Sequence, residues 1–281
     1  MIDFEIDGMI SQLEIVMRGY NRKPIEIHRN QLCPCGSGEK FKKCHMDSGT
    51  KWDEGPFRFY DGSIMYENLN LYLNLLETMR SILLTLKNTN SINESLGLQL
   101  IDELYEAYDP AIQQLQRNAP CRKGCISCCF QDVVLEKIEA RKILNSINKD
   151  VNNNIKRNMK EKKEREKIPL SSKTDVKNYR TNYSTPCPFL NIEKGECSIY
   201  QARPFRCRLH FVYTHPSLCN EKGKKIDRYS GPTYDLYMQD VIQFINQKVY
   251  GDVSKNHIYA QFYEETSTRG KLFRFVKRIG K

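Results

Sequence analysis

Eleven cysteines in 281 residues, divided into two groups along the chain, constrain the fold more than any other feature. Three of them lie near the N-terminus and are followed directly by His45, whereas the other eight begin at Cys121 and end at Cys219. Thiolate metal sites are usually built from about four ligands each. The grouping therefore predicts at least two separate metal sites, each of which organises the structure around it.

Composition and the N-terminal residues bear on the compartment. The length permits one large domain or two small ones. Residues 1–5 are acidic and lack the basic and then apolar pattern of a signal peptide, and no apolar run approaches the ~18 residues of a membrane span. We therefore expect a cytoplasmic protein without a membrane span. In a reducing compartment, clustered cysteines are more often metal ligands or redox groups than disulfides.

The net charge of +10 is unevenly distributed. Residues 1–150 contain 18 basic and 21 acidic side chains, a net charge of −3, whereas residues 151–281 contain 26 and 13, a net charge of +13. Such asymmetry permits an anionic partner, either nucleic acid or an acidic protein surface. The basic run from Lys156 to Lys167 contains no aromatic residues that would stack on bases. A solvated lysine-rich surface is therefore the stronger interpretation, and nucleic-acid binding has only weak support.

Two apolar patterns predict helices in the N-terminal half. One begins near Asp61, after a short polar connection between Gly49 and Gly55, and the other near Ile92. A short helix over residues 10–18 is also indicated, and Asp109-Pro110 is typical of an N-cap followed by proline at the first helical position. The apolar positions recur at spacings of three and four. They are Leu69, Tyr72, Leu73, Leu76, Met79, Leu83 and Leu86 in the first helix and Leu96, Leu100, Ile101, Leu104 and Tyr108 in the second.

The C-terminal half is expected to contain short strands and a further helix. We predict strands around Cys187 and Cys197 joined by a turn at Lys194-Gly195. Residues 149–167 are polar and charged, which favours an exposed helix or a mobile segment, and the tail from Gly270 is basic and partly amphipathic. A helix is predicted after Gly231-Pro232. Its apolar side consists of Leu236, Tyr237, Val241, Phe244, Ile245 and Val249.

The N-terminal cysteine group forms a compact knuckle. Cys33 and Cys35 are separated by one residue, and Cys44-His45 follow after eight more. Two closely spaced thiolates on a turn bind one side of a tetrahedral ion, and a second pair returned by a hairpin completes the site. Gly36 and Gly38 permit the tight return. Neighbouring lysines at positions 40, 42 and 43 offset the negative charge of three thiolates.

The run from Arg29 to His45 closely resembles the SEC-C motif, a zinc module found at the C-terminus of the SecA translocation ATPase and in many otherwise unrelated proteins. The resemblance implies that Cys33, Cys35, Cys44 and His45 hold a structural Zn²⁺. It also implies a non-catalytic role in protein interaction. His28, the other nearby imidazole, is interpreted as a surface residue.

The larger group of cysteines resembles a second family. Four thiols fall between Cys121 and Cys129, and later cysteines follow in the contexts Cys187-Pro-Phe-Leu, Cys197-Ser-Ile-Tyr and Arg-Pro-Phe-Arg-Cys207. These pieces resemble the YkgJ-like CxxCxxCC family, which is described as chelating zinc or iron. The resemblance covers residues 119–220 and implies metal binding more firmly than any activity. The ligand candidates are Cys121, Cys125, Cys128, Cys129, Cys187, Cys197, Cys207 and Cys219.

The metal and the chemistry of this cluster stay open at the level of sequence. All-thiolate ligation suits zinc or a [4Fe–4S] cluster, and eight cysteines could form two sites, or one cluster with additional reactive thiols. A related branch of the family includes flagellin lysine N-methylases, which implies iron–sulfur chemistry on a protein substrate. The spacing Cys121-x3-Cys125-x2-Cys128 matches radical S-adenosylmethionine enzymes. However, Ser127 replaces the usual aromatic or apolar residue, and no barrel pattern follows.

Charged and imidazole side chains surround the last cysteines. Arg203, Arg206 and Arg208 lie beside Cys207 and either stabilise thiolates, bind an anionic substrate or form structural turns and ion pairs. His210 and His215 are alternative ligands or proton carriers with weaker support, and His257 is interpreted as a helix-surface residue.

The predicted fold class is mainly α with small metal-stabilised β-hairpins and loops. Three functions fit the sequence: a metal-binding protein without turnover, an iron–sulfur enzyme that modifies a protein, and an adaptor for a translocation, ribosomal or chaperone partner. The predicted segments are an N-terminal segment (1–27), the zinc knuckle (28–48), a helical hairpin (58–118), the cysteine-cluster domain (119–222) and a C-terminal helical region (223–281).

Overall fold

In the computed structural model of the protein, helices predominate and the strands form short antiparallel pairs. The predicted mainly-α fold class is therefore confirmed. No helix among the described residues is long and apolar enough to cross a membrane. The structure describes residues 2–19, 24–117, 119–121, 124–130, 133–148, 151, 153, 155–158, 160, 186–220, 233–251 and 256–257.

The chain divides into two compact units, which are described separately. Unit 1 comprises residues 1–121, 211–215 and 227–253, and unit 2 comprises residues 122–210, 216–226 and 254–281. The division into five segments stays a prediction. In chain order the helices are α1 (Ile2–Gly19), α2 (Leu69–Lys87), α3 (Glu94–Gln116), α4 (Lys137–Asn145), α5 (Phe205–Leu209) and α6 (Thr233–Tyr250). The strands are β1 (Trp52–Arg58), β2 (Ile64–Asn68), β3 (Val134–Leu135), β4 (Leu190–Asn191), β5 (Glu196–Cys197) and β6 (Asn256–His257).

Helix α2 is the centre of unit 1, where it packs against α1, α3 and α6. It begins at Asn68, whose side-chain oxygen accepts hydrogen bonds from the backbone N–H groups of Asn70 and Leu71. Its apolar face is wider than predicted, since Leu75 and Ile82 are also buried. Helix α1 is longer than the predicted 10–18 because the buried residues begin earlier, at Ile6.

A β-hairpin occupies residues for which the sequence predicted a polar connection and the start of a helix. Strands β1 and β2 pair antiparallel from Trp52 opposite Asn68 to Arg58 opposite Ile64. The prediction was wrong because the period-two burial of β2, in which Met65 and Glu67 point inward, was not recognised. Gly55 lies inside β1, where an added Cβ would come within 3.0 Å of the Met65 carbonyl oxygen.

The predicted helix start at Asp109-Pro110 was also wrong, because α3 continues through Pro110 to Gln116. Proline in a helix interior removes one backbone hydrogen bond. Pro110 and Glu106, which would have accepted that bond, are both exposed, so water can satisfy the freed carbonyl. The apolar face continues beyond the proline as Ala111, Ile112 and Leu115, whose burial favours an uninterrupted helix.

Helix α6 was predicted in the right place, but its buried face differs. Leu236 is 64% exposed, whereas Asp235 and Lys248 are buried. The Lys248 ammonium lies 2.8 Å from the Asp3 carboxylate and donates to the Thr89 carbonyl oxygen, also at 2.8 Å. Residues at the two ends of unit 1 in the sequence are thereby joined by one buried cation.

Unit 2 is built from short elements around a small apolar core. Strands β4 and β5 pair through Leu190 and Cys197, and Gly195 in the connecting turn has φ +60°, so the predicted hairpin is confirmed. Strand β3 pairs with β6, which places His257 in a strand, not in the predicted helix. The core consists of Leu135, Ala140, Ile143, Val151, Ile155, Phe189, Ile199 and Ala202.

The described residues of the polar stretch 149–167 contribute to that core, whereas the sequence predicted an exposed helix or a mobile segment. Its described residues are helical, and Val151 and Ile155 are each 3% exposed. The prediction weighed the many charges and overlooked two apolar residues spaced four apart, which share one helix face. Residues 161–185 and the basic tail from Gly270 lie outside the described residues.

Candidate metal centres

The knuckle folds as a small hairpin within unit 1. An isolated bridge joins Leu32 and Lys40, and the Cys33 N–H donates to the Glu39 carbonyl oxygen at 2.7 Å. The turn between them contains Gly36 and Gly38 with φ +75° and +79°, the left-handed conformation that glycine adopts without strain. The returning chain then forms a 3-10 turn, Phe41–Lys43, which delivers the next two ligands.

The four donors of the knuckle converge on one point. The Sγ and Nδ1 or Nε2 atoms of Cys33, Cys35, Cys44 and His45 lie within 4.8 Å of one another. His45 Nδ1 is 3.2 Å from Cys33 Sγ and 3.0 Å from Cys44 Sγ, and Cys35 Sγ is 3.5 Å from Cys44 Sγ. Tetrahedral Zn–S bonds of ~2.3 Å place ligand atoms roughly 3.8 Å apart. The residues present therefore fit a closed Cys₃His zinc site.

The thiols of the knuckle favour a cation for electrostatic reasons. Burial, reinforced by the neighbouring thiols of Cys35 and Cys44, raises the pKa of Cys33 to about 12. Burial opposes ionisation of Cys35, but hydrogen bonds from Ser37, Cys33 and Cys44 together outweigh it and lower the pKa of that thiol. Ionisation of Cys33 is opposed by burial and by the neighbouring thiols. A metal ion that displaces the Cys33 proton would offset both effects, because it supplies positive charge inside the site.

Residues that the sequence analysis did not single out hold the knuckle against the rest of unit 1. Gln114 on α3 donates from Nε2 to the Pro34 carbonyl oxygen at 2.8 Å, and Arg117 donates from Nη1 to the Cys35 carbonyl oxygen. The ring of Trp52 lies edge-on to His45 with centroids 5.7 Å apart. These three side chains lie outside the motif, so spacing within the motif could not reveal them.

Five thiols of unit 2 come close enough to act on one another. Cys128 and Cys129 lie in the 3-10 turn Ser127–Phe130, Cys187 precedes β4, Cys197 ends β5 and Cys207 lies in α5. The Cys187 N–H donates to the Cys129 carbonyl oxygen at 2.6 Å, which brings together segments almost 60 residues apart.

The electrostatics of these five thiols resemble those of the knuckle. Burial, reinforced by the other thiols, raises the pKa of Cys187 to about 12 and that of Cys207 well above its usual value. A hydrogen bond with Cys128, followed by burial, raises the pKa of Cys129. Burial raises the pKa of Cys197 even though Arg203 opposes the shift. Like charges this close cannot all form without a cation, so the donor set fits a thiolate-bound metal.

The other three cysteines occupy different positions. Cys125 is exposed. Cys219 lies in the 3-10 turn Pro216–Asn220, which packs against the turn that holds Cys128 and Cys129. Cys121 belongs to unit 1, where the Val212 N–H is directed at its Sγ at 3.4 Å. Among the described residues, no second group of His, Cys, Asp or Glu donors is gathered as closely as the knuckle.

Asn158, which the sequence analysis did not identify, holds the Cys187 turn in place. Its side chain is fully buried, and Nδ2 donates to the carbonyl oxygens of Cys187, Pro188 and Leu190 at 2.8, 3.3 and 2.9 Å. One amide thus orders the backbone that carries a central thiol. A lone asparagine in a polar stretch gives no sequence signal for such a role.

The arginines beside Cys207 have different environments. Arg208 is buried and donates from Nε to the Arg203 carbonyl oxygen at 2.7 Å and from Nη2 to that of Gln201, so it orders the turn before α5. Arg203 stacks on Tyr200 at 3.7 Å. Its positive charge opposes the rise that burial causes in the pKa of Cys197 and Cys207, although both pKa values stay raised. Arg206 is exposed.

His28, His210 and His215 do not belong to the donor set of the knuckle. His28 is exposed, as predicted, and its Nδ1 accepts from the Asn30 N–H at 3.3 Å. His215 belongs to unit 1 and lies edge-on to Tyr60 with ring centroids 5.0 Å apart. His210 is half-buried in unit 2.

Two family models match separate segments of the chain. The model of the SEC-C motif matches residues 29–47, and the CxxCxxCC model, described as a "Putative zinc- or iron-chelating domain", matches residues 120–227. Both resemblances seen in the sequence are thereby confirmed. The matches and the geometry of the knuckle together support metal binding.

Curated relatives resemble this chain over the SEC-C segment alone. The protein translocase subunit SecA of Chloroflexus aurantiacus is 54% identical over 33 residues, 12% of this chain and 3% of that protein. SecA of Campylobacter hominis is 60% identical over 30 residues, 11% of this chain and 3% of that protein. The chain therefore spans about 3% of the length of these relatives. No solved structure matches the chain.

Proposed function

We propose that this protein binds metal at two centres with different roles. At the knuckle, Cys33, Cys35, Cys44 and His45 hold a structural Zn²⁺. The observation that carries this assignment is the convergence of four donor atoms within 4.8 Å. Closed coordination by protein ligands leaves no position for a reacting molecule, so this centre stabilises structure and supports protein interaction.

The second centre is a cysteine-rich zinc or iron site in unit 2. Its central ligands are Cys128, Cys129, Cys187, Cys197 and Cys207, and the raised pKa values of Cys129, Cys187, Cys197 and Cys207 support this assignment. Cys125 and Cys219 are further candidate thiols of unit 2, and Cys121, which belongs to unit 1, stays a ligand predicted from the sequence. Thiolates stay reduced in a cytoplasmic location, which suits both centres.

An iron–sulfur enzyme that modifies a protein, similar to flagellin lysine N-methylase, is the second candidate. Five interacting thiols exceed the four that a single zinc ion or one [4Fe–4S] cluster takes. One thiol would then be left for chemistry beside a cluster. The SEC-C resemblance supports a third role that is compatible with either, in which the knuckle docks the protein on a translocation, ribosomal or chaperone partner.

Metal analysis of the full-length protein distinguishes these functions. The protein is purified without oxygen, and its zinc, iron and acid-labile sulfide are measured in the native form and in Cys44→Ser and Cys197→Ser variants. Zinc that is lost in Cys44→Ser but kept in Cys197→Ser would be assigned to the knuckle. If the protein is brown and Cys197→Ser removes its iron and sulfide, the result favours the iron–sulfur enzyme. If the protein is colourless and Cys197→Ser removes a second pool of zinc, the result favours metal binding without turnover. Unchanged metal content in both variants would contradict the two-centre proposal.

A further inference from the structure

A cleft of about 270 Å³ lies in unit 1 beside the knuckle. Its walls come from the knuckle, from the first turn of α2 and from the last turns of α3, and they include His45, Trp52, Asn68, Gln113, Gln114 and Arg117. Pockets for drug-sized ligands occupy roughly 300–1,000 Å³. The cleft is therefore suited to one or two residues of an extended chain, and it is too small for a helix, whose diameter is about 10–12 Å.

Hydrogen-bond donors predominate in this cleft. Trp52 is 2% exposed, and its Nε1–H finds no acceptor in the part of the chain that the structure describes. Asn68 uses its side-chain oxygen to cap α2, which leaves its amide N–H groups for a ligand. Arg117 uses one nitrogen on the Cys35 carbonyl, and a guanidinium carries five N–H donors. The Nε1 atom has almost no accessible surface, so a ligand acceptor relieves this buried donor only after a small displacement of the cleft wall.

The charge of the cleft favours an anion. Among the described lining residues outside the metal site, Arg117 is the one formally charged side chain, and none is Asp or Glu. Three thiolates and one Zn²⁺ carry a net charge of about −1, which the three exposed lysines of the knuckle offset. The first turn of α2 adds the positive end of a 19-residue helix. Leu71 and Pro110 supply an apolar part of the wall for a side chain.

We infer that this cleft binds the C-terminal residue of a partner polypeptide. The terminal carboxylate accepts hydrogen bonds from the Trp52 indole and the Arg117 guanidinium, whose fork matches a carboxylate, and the last side chain rests on Leu71 and Pro110. This inference rests on the proposed role of the knuckle in protein interaction, and it specifies which part of the partner protein is bound. Because His45 and Cys35 line the cleft, its shape depends on the metal.

Tryptophan fluorescence can report binding in this cleft, because Trp52 lines the cleft and is the single tryptophan of the chain. Full-length, zinc-loaded protein is titrated with N-acetyl-Ala-Ala-Leu that has a free carboxylate, with the same tripeptide as its C-terminal amide, and with N-acetyl-leucine. We expect the free acid to change tryptophan emission with saturation, and the amide to bind at least about tenfold more weakly. N-acetyl-leucine should also bind more weakly, since it lacks the preceding residues.

Substitutions locate the site. Arg117→Gln should weaken binding of the free-acid peptide at least about tenfold. Arg58→Gln, on an exposed arginine of β1, should leave binding unchanged. Gln113→Glu places an anion on the exposed rim without removing a contact to the knuckle and should weaken binding as well. This second variant keeps the test decisive if Arg117→Gln also disturbs zinc, which is measured in every sample.

Each contrary result has a defined meaning. Equal binding of acid and amide, or no binding by protein that holds its zinc, would overturn the inference and leave the proposed zinc site intact. Binding of N-acetyl-leucine as tight as that of the tripeptide would overturn the polypeptide assignment in favour of a small carboxylate. Failure of the knuckle to bind zinc would remove both the proposed function and the inference.

Discussion

At the scale of single residues, the two centres depend on a few polar side chains placed where spacing rules do not reach. Asn158 orders the turn of Cys187 through three carbonyl groups, and Gln114 and Arg117 fix the backbone of Pro34 and Cys35. These side chains act on the backbone that positions the ligands. Their substitution should therefore change metal retention even though none of them is a ligand.

Asn158→Ala should weaken the second centre. The substitution removes three hydrogen bonds from a fully buried site, and we expect a loss of about 2–3 kcal/mol in the free energy of unfolding of unit 2. The rate of metal transfer to a chelator should rise accordingly. The matched control is Asn153→Ala, at an exposed position of the same stretch. Equal rates in the two variants would contradict the positioning role of Asn158.

Asp235 should make the stability of unit 1 depend on pH. Burial, together with the Glu67 carboxylate and against a hydrogen bond from Tyr108, raises the pKa of Asp235 from 3.8 to about 7. The folded state thus binds more protons than the unfolded state between these values, and stability falls as the pH rises through that window. The full effect is up to about 4 kcal/mol, because each pKa unit corresponds to ~1.4 kcal/mol.

Asp235→Asn isolates this effect. We expect the variant to gain stability relative to the native protein as the pH increases from 4 to 8, as measured by urea unfolding with both centres loaded with metal. The difference between the two proteins cancels the pH dependence of the metal sites. A difference that stays constant with pH would show that the Asp235 carboxyl ionises normally in the folded state.

At the scale of elements, long amphipathic helices could be predicted from the sequence and short, context-dependent elements could not. The position of α2 and the hairpin at Gly195 followed from local pattern and turn chemistry. The β1–β2 hairpin and the passage of α3 through Pro110 did not, because tertiary burial decided both. Likewise the convergence of the four knuckle donors could be predicted from spacing, whereas the five-thiol subset of unit 2 needed the folded chain.

Gly55→Ala tests the packing of the β1–β2 hairpin. A Cβ at this position would lie 3.0 Å from the Met65 carbonyl oxygen and 3.3 Å from its Cγ, and both belong to the paired strand. We expect a destabilisation of about 1–3 kcal/mol, measured by thermal unfolding. Gly8→Ala is the matched control, since an added Cβ in α1 meets nothing within 4 Å, and it should stabilise the protein by about 0.5–1 kcal/mol. A neutral Gly55→Ala would contradict the close approach of the strands.

At the scale of the whole molecule, the candidate thiols of the second centre come from separate segments of unit 2. The thiols of Cys129, Cys187, Cys197 and Cys207 are close enough to influence one another's pKa values, and the described apolar core of unit 2 is small. Metal binding should therefore contribute directly to the folding free energy of unit 2. Unit 1 has a larger core, centred on α2, and should keep its helices without metal in the second centre.

Limited proteolysis tests that difference. Removal of metal from the second centre by a chelator should expose unit 2, with cleavage around residues 149–168, and Cys197→Ser should give the same fragments. Cys44→Ser should leave unit 2 resistant. An unchanged fragment pattern after metal removal, or equal sensitivity of the two variants, would contradict the separate roles of the centres.

The buried ammonium of Lys248 also has a consequence for biosynthesis. It binds Asp3 and the Thr89 carbonyl, so unit 1 closes only when α6, near residue 248, has left the ribosome. All the thiols of unit 2 precede that helix in the order of translation. The nascent chain therefore presents the candidate thiols of the second centre to metal while the helical unit is still incomplete, and metal delivery can precede final closure of the fold.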